Sequence, residues 1–353
     1  MVHSTIIDMH PCIAPMPCCN DQIRLVHGSE GSTVELRNLR ALITVAETGS
    51  VTKAAQFLHL VQPAVTRQIR SLEEDVGVPL FERTNTGMRP TPAGHALVAR
   101  ARRVLTELER ARAEIQPEPG HVTGIAAVGL LASVQELLAP RLVEVVARKY
   151  PGIELQLASA YSGHLQEWLD AGDLDVSLLY NLTSTQSVRV LPLLRDQLWA
   201  VAPAADGLRI DEPVDFATVI EHPFILPIAG KHGLRILIDE ALSNCDITPR
   251  IAVRANSMSL QKSLVKAGYG WTILPATGVV EQISRNELSA APLSKPSIAR
   301  TVALGLRRIG RTPPAVRVVA AELLTLVRVS VASGHWPSAQ LINDSDRSLS
   351  RHR

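Results

Sequence analysis

Residues 36–94 read LRNLRALITVAETGSVTKAAQFLHLVQPAVTRQIRSLEEDVGVPLFERTNTGMRPTPAG, and the order of apolar residues and breakers in this run decides the N-terminal fold. Leu36, Leu39, Ile43 and Ala46 recur at spacings of three and four, which places them on one helical face. Gly49 is placed to end that helix and Ser50 to cap the next. The second helix spans about Val51 to Leu58, where the small pair Ala54–Ala55 lets another helix cross closely. After a turn at His59–Val61, Gln62–Pro63 opens a third helix. The proline falls in its first turn, where the missing N–H costs nothing. Val65, Ile69 and Leu72 form its buried face. Past Gly77, Pro79–Arg83 and Met88–Thr91 read as two short strands around a turn, a wing. Residues 35–93 are thus a winged helix-turn-helix, with the motif itself running from Val51 to Arg70.

Such a module reads duplex DNA through the first turns of its third helix. Gln62 is a candidate to pair bidentately with adenine and Arg67 with guanine, and Pro63 and Ala64 suit thymine methyl groups. Thr66 reaches a base or a phosphate. Ser50, Thr52, Lys53, Arg70 and the wing residue Arg89 are candidates for the phosphate backbone. A merely solvated helix face would carry similar residues, and the net charge of +2 does not by itself imply nucleic acid.

Thr91–Pro92 starts a long helix, 92–116. Leu97, Ala101, Val104, Leu108, Ala111 and Ile115 alternate spacings of four and three, the 3.5-residue seam of a coiled coil. Dimerisation is the expectation, although a helix packed on its own domain would show the same stripe. Pro117, Pro119 and Gly120 then break the chain into a linker.

From Val122 the pattern changes to strands and helices in alternation, which implies an α/β unit over 121–333 with mostly parallel sheets. With 353 residues, 46% of them hydrophobic and 20% charged, the chain is globular and long enough for more than one core. Aromatic residues at 3% argue against a surface that stacks single-stranded bases. Residues 1–34 have no period and are expected to be a disordered extension, so an initiation near Val34 would lose nothing of the folded part. Residues 334–353 are polar and expected to fray. His10, Cys12, Cys18 and Cys19 match no common metal spacing, so no metal is expected. The fourth cysteine, Cys245, leaves no disulfide framework, and neither a membrane span nor a signal segment is evident. A cytoplasmic protein is expected.

The elements Gly49-Ser50, Ala54-Ala55, Leu58, Gln62-Pro63-Ala64-Val65-Thr66, Ile69, Leu72-Glu73, Gly77, Leu80-Phe81, Arg83 and Thr91-Pro92-Ala93-Gly94 stand in an order and spacing that closely resemble the DNA-binding domain of LysR-type transcriptional regulators. Leu42 stands where that family commonly has an aromatic residue, and Val61 where it has a small one. The resemblance implies that 121–333 is similar to a periplasmic solute-binding protein. Lobe I would be 121–198 and 302–332, lobe II 199–301, and a small-molecule effector would bind between them. It also implies a homodimer or homotetramer on an interrupted palindrome of promoter duplex DNA, with RNA polymerase a candidate partner. The runs GDLDVSLL, HGLR and LVKAGYGWTILP resemble a subgroup that controls nitrogen and sulfur assimilation.

Helix starts at Leu130–Ser133, Ser162–Gly163 and Lys231–Gly233 suit an anionic effector. Leu131, Ser133, Ser162, Gly163, His232, Arg235, Asn256 and Thr272 are the candidate effector residues, though capping and surface exposure would explain them as well. No catalytic site or cofactor is expected, because the chain has no G-x-S-x-G elbow, H-E-x-x-H or P-loop. The remaining alternatives are a sensor module without a DNA role and an α/β enzyme with an appended helix-turn-helix.

Overall fold

The computed structural model describes residues 34–85, 87–115, 122–181, 185–228, 233–244, 247–308 and 312–342. The extension expected over 1–34 (Val34 apart), its Cys and His residues, and the linker prolines lie outside the described residues. The chain forms two compact units, divided after Ala101.

The first unit contains helices α1 (Leu36–Thr48), α2 (Val51–Phe57) and α3 (Gln62–Val76), the wing strands β1 (Phe81–Thr84) and β2 (Gly87–Pro90), and the start of α4 (Pro92–Ile115). Gly49 ends α1 in the left-handed region at φ 63°, and the Ser50 hydroxyl accepts from the Lys53 N–H at the start of α2. Leu39, Leu42, Val45, Ala54, Ala55, Val65, Ile69, Leu72, Leu80 and Val98 make the core. Leu36, expected on the buried face, is exposed, while Ala41, Leu42 and Val45 are buried. Both α2 and α3 pack on α1, so its covered surface is wider than one stripe and centred elsewhere.

Three contacts fix the wing. The Glu73 carboxylate accepts from the N–H groups of Leu80 at 2.8 Å and Phe81 at 3.3 Å, tying the end of α3 to the start of β1. The Met88 N–H donates to the Gly49 carbonyl at 2.8 Å. Thr91 donates to the Pro79 carbonyl at 2.8 Å and accepts from Gly94 N–H at 3.0 Å, so one hydroxyl closes the wing and caps α4.

The second unit runs β3 (Gly124–Leu131), α5 (Gln135–Lys149), β4 (Ile153–Ala160), α6 (Ser162–Ala171), β5 (Val176–Tyr180), β6 (Val188–Pro203), β7 (Val214–Asp215), α7 (Phe216–Glu221), β8 (Phe224–Pro227), α8 (Gly233–Ser243), β9 (Ile251–Ala255), α9 (Met258–Lys266), β10 (Thr272–Pro275), α10 (Val280–Ser284), β11 (Leu288–Ser294), β12 (Ala299–Arg307), α11 (Pro314–Ala332) and β13 (Ala339–Leu341). Its sheets are mixed rather than mostly parallel. β4, β3 and β5 are parallel, as are β8 and β9, but β12 runs antiparallel to both β5 and β6. β6 is long enough to serve two lobes. Its first part, Val188–Gln197, pairs with β12, and its last part, Leu198–Pro203, pairs with β10 and β11. The lobe I core gathers β3, β5, α5 and α11. Lobe II has a core on each side of its strands, one around Phe216, Phe224 and Ile238, the other around Trp199, Ile225 and Leu274. The chain therefore crosses between lobes twice, on β6 near Asp196 and at the start of β12 near Arg300.

The tail expected to fray from 334 is built into lobe I as far as Ile342. Trp336 is 1% exposed and belongs to the lobe I core, and β13 pairs antiparallel with β6 at Leu194–Asp196. One large aromatic anchors a segment too polar and too short to show a period.

A Cβ at Gly94 would run into the Leu80 carbonyl oxygen, which is backbone and cannot move aside cheaply. Gly94→Ala is therefore expected to destabilise the chain by about 1–3 kcal/mol, the usual cost of overpacking, read as a lower midpoint in urea unfolding.

Candidate functional site

The cationic face of the first unit is open. Gln62, Pro63, Arg67 and Arg70 are exposed along α3, Thr52 and Lys53 are exposed on α2, and Arg89 is exposed on the wing. Among the described residues, Arg67, Arg70 and Arg89 have no hydrogen-bond or ion-pair partner, so their guanidinium donors are available. Thr66 donates to the Gln62 carbonyl at 3.1 Å, which leaves its oxygen as an acceptor only. Ala64 is half-buried beside it. These residues lie around the N-terminal turns of α3, where unpaired backbone N–H groups favour phosphate.

The expected seam on α4 is divided. Leu97 and Ala101 pack into the core of the first unit, with Ala101 1% exposed. Val104 is 49% exposed, Leu108 half-buried and Ala111 exposed. The Ile115 side chain lies outside the described residues.

Between its lobes the second unit has a narrow, partly open pocket with a cavity volume of about 30 Å³. Strands β3, β4 and β9 end at its wall, and α5, α6 and α9 begin just beyond them, so Leu131–Ser133, Ala160–Tyr161, Asn256 and Met258 line it. Ligands of open α/β sheets bind at this end of the strands. Pro227, Leu234, Gln261, Leu274 and Pro275 complete the wall on the lobe II side. The wall is largely apolar, and Arg300 is the one charged side chain among its described residues.

Arg300 is 3% exposed and Asp196 fully buried, at the positions where β12 and β6 face each other directly. Arg300 Nε and Nη2 each lie 2.9 Å from Asp196 Oδ2, and Nη2 also donates to the Ser133 hydroxyl at 2.8 Å. The guanidinium carbon sits 5.0 Å from the centre of the Tyr180 ring. The other Asp196 oxygen accepts from Trp336 Nε1 at 3.0 Å and from Ser338 Oγ at 2.6 Å. A buried ion pair is tolerable only when its remaining donors and acceptors are satisfied in this way. Tyr180 carries the wall across to lobe II, since its hydroxyl accepts from the Leu234 N–H at 3.2 Å. Burial pushes the Tyr180 phenol up, against the opposing pull of Arg300 and the Leu234 and Gly233 N–H groups. Burial also pushes Tyr161 up. Both phenols are therefore neutral near pH 7.

Of the residues expected at the effector site, Leu131, Ser133 and Asn256 line the cavity. The others do not. The Ser162 hydroxyl is spent on the Tyr180 backbone, accepting from N–H at 3.1 Å, and Ser162 and Gly163 line a separate open groove between α6 and α8. Thr272 is buried and donates to the Ile225 carbonyl at 2.7 Å, bracing β10. Arg235 pairs with Asp239 at 2.7 Å and donates to the Pro227 carbonyl, an intrahelical and structural role. His232 lies outside the described residues. Sequence reasoning missed Tyr161, Tyr180, Met258, Gln261 and Arg300. The signal for Arg300 was available in part: it is the one charged residue in the apolar run ARTVALGL.

A winged helix-turn-helix with a bare cationic face, in one chain with a two-lobed α/β unit that encloses a cavity, defines a ligand-responsive DNA-binding regulator. Residues 36–95 match the bacterial regulatory helix-turn-helix protein, lysR family, and residues 119–328 match the LysR substrate binding domain. The chain belongs to the LysR family of transcriptional regulators, which is not a family of enzymes. It is 29% identical over 299 residues to the HTH-type transcriptional regulator BbuR of Bordetella bronchiseptica, covering 85% of this chain and 92% of that one. It is 27% identical to the nitrogen assimilation regulatory protein nac of Klebsiella aerogenes, covering 83% and 95%. Among solved structures, full-length CbnR complexed with its target DNA has a TM-score of 0.63 at 25% identity, covering 84% of this chain and 99% of that one. Hydrogen-peroxide-inducible activators match at 29%, as closely as the nitrogen regulator, so the chain is not placed in the nitrogen and sulfur subgroup.

Removing one member of the Asp196–Arg300 pair leaves the other charge buried and unpaired. Asp196→Ala is expected to cost about 3–5 kcal/mol of stability, measured by urea denaturation of the full chain.

Proposed function

We propose that this regulator binds a specific duplex site as a homo-oligomer, and that a small anionic molecule in the interlobe cavity modulates that binding. The observation that carries the effector reading is Arg300, a buried guanidinium and the one charged described side chain of a largely apolar cavity at the starts of α5, α6 and α9. Helix N-termini and a fixed cation act on an anion in the same direction. Asp196 already balances the charge of Arg300, which favours a neutral, mostly apolar ligand as the second reading. Peroxide-inducible regulators are among the relatives, yet residues 102–353 hold one cysteine, Cys245, so no disulfide can close within that unit.

In the DNA-binding unit, Gln62 and Arg67 read bases while Thr52, Lys53, Arg70 and Arg89 hold phosphates. The solved CbnR complex with target DNA supports this use of the fold. Self-association through α4 would rest on Val104, Leu108 and Ala111, because Leu97 and Ala101 are occupied within their own unit. No described helix is long and apolar enough to cross a membrane. A protein that acts on promoter DNA would work in the cytoplasm.

Binding sites selected from fragmented genomic DNA with the purified protein, then titrated against salt, test the DNA half of this reading. Discrete sites in an interrupted palindrome are expected. Arg67→Ala should weaken the selected site by about tenfold or more, the worth of one bidentate base contact. Arg70→Ala should instead weaken all sequences alike and reduce the slope of affinity against salt by about one unit. Diffuse binding that neither variant changes would remove α3 from the recognition role.

A further inference from the structure

We propose that the C-terminal segment Trp336–Leu341 is a working part of the effector site, and that Trp336 and Ser338 are positioning residues for the ligand-reading guanidinium of Arg300. The inference rests on the anionic reading above. It adds that the selectivity of the cavity is set from a segment outside its walls.

The chain of contacts is short and continuous. Trp336 and Ser338 both donate to Asp196 Oδ1, at 3.0 and 2.6 Å, and Oδ2 of the same carboxylate holds Arg300 Nε and Nη2. Neither Trp336 nor Ser338 lines the cavity, whereas Arg300 does. β13 keeps the donors in place by pairing Ala339 with Asp196 itself, and Gln340 and Leu341 with Arg195 and Leu194. The Ser338 carbonyl also accepts from the Gln197 N–H at 3.0 Å. A carboxylate clamped on one oxygen can offer only the other to its cation. Arg300 is thereby held by one edge, and none of its contacts uses Nη1, which remains as a donor for a ligand. Without the two donors the Asp196 carboxylate is free to turn and take the guanidinium with both oxygens. Arg300 would then move toward the strand and away from the cavity, and its charge would be more fully cancelled.

The segment could be purely structural, since Trp336 also fills the lobe I core. The test therefore reads selectivity rather than stability. The full chain is titrated calorimetrically with a series of small carboxylates, from acetate to hexanoate together with benzoate, and with the corresponding neutral amides. The wild type is expected to prefer a carboxylate over its amide by about tenfold or more, as a charge-assisted hydrogen bond in a buried site implies. Ser338→Ala and Trp336→Phe, the latter keeping a ring in the core while removing the N–H, are expected to reduce that preference severalfold while amide affinity stays within about twofold. A wild-type preference that both folded variants leave unchanged, or one that rises, overturns the positioning role. Should the wild type bind no carboxylate, or bind amides equally well, the anionic reading fails and this proposal with it. Thermal unfolding of each variant confirms that the comparison is made between folded proteins, and Ser338→Ala, which deletes one hydroxyl, keeps the test open if Trp336→Phe does not fold.

Discussion

The ion pair between Asp196 and Arg300 lies where the chain crosses between the lobes of the second unit. β6 and β12 are the two connections between lobes, and this pair ties them at directly opposed positions. Withdrawing two charges from water costs several kcal/mol per ion (order of magnitude), and their mutual attraction repays it only with good geometry and full hydrogen bonding. The protein meets that condition from three separate stretches of chain: Ser133 after β3, Trp336 and Ser338 after α11, and the two strands themselves. An apolar pair of similar size would hold the strands together as well or better. The charged pair adds direction, because a guanidinium accepts only certain neighbours and orients what it binds.

The DNA-binding unit depends on a constraint of a different kind, the close approach of backbone to backbone. Gly87 lies against the Gly49 carbonyl, and Gly94 against that of Leu80, so the wing and the start of α4 are seated on the helical core with no side chain between. Glu73 supplies the polar part of the same joint. On the proposed reading of α3 as the recognition helix, this close seating serves base recognition. Base contacts discriminate only when the side chains making them are held to fractions of an ångström, and α3 is fixed at its far end by the residues that also fix the wing.

The first unit was almost wholly legible in the sequence because each of its rules is local. Caps, breakers and period named every helix and the wing within a residue or two, and Gly49, Gly77 and Pro63 stand where their backbone preferences require. In the second unit the alternation of strands and helices was legible, but the antiparallel pairing that makes its sheets mixed was not, because it joins strands distant in sequence such as β12 with β5. The effector residues suffered most. Ser162, Thr272 and Arg235 carry the right chemistry but spend it on nearby backbone and on Asp239. Tail residues 334–342 were read as polar and loose because the partner that orders them, Asp196, is some 140 positions away, as the Trp336–Asp196 bond records.

These two kinds of constraint suit the two tasks. A reading head must not deform, and contacts through backbone atoms offer little room to do so. A sensor must have a second state within reach, and a ligand can select that state only by binding it better than the first. A hinge held by apolar packing alone would feel a polar ligand only through shape. Here the group that ties the two crossover strands to each other also lines the cavity, so a ligand that engages Arg300 acts at the crossover itself. On the proposed effector reading, a ligand on the unused Nη1 of Arg300 gains differential affinity for two lobe arrangements only where those arrangements place the guanidinium differently.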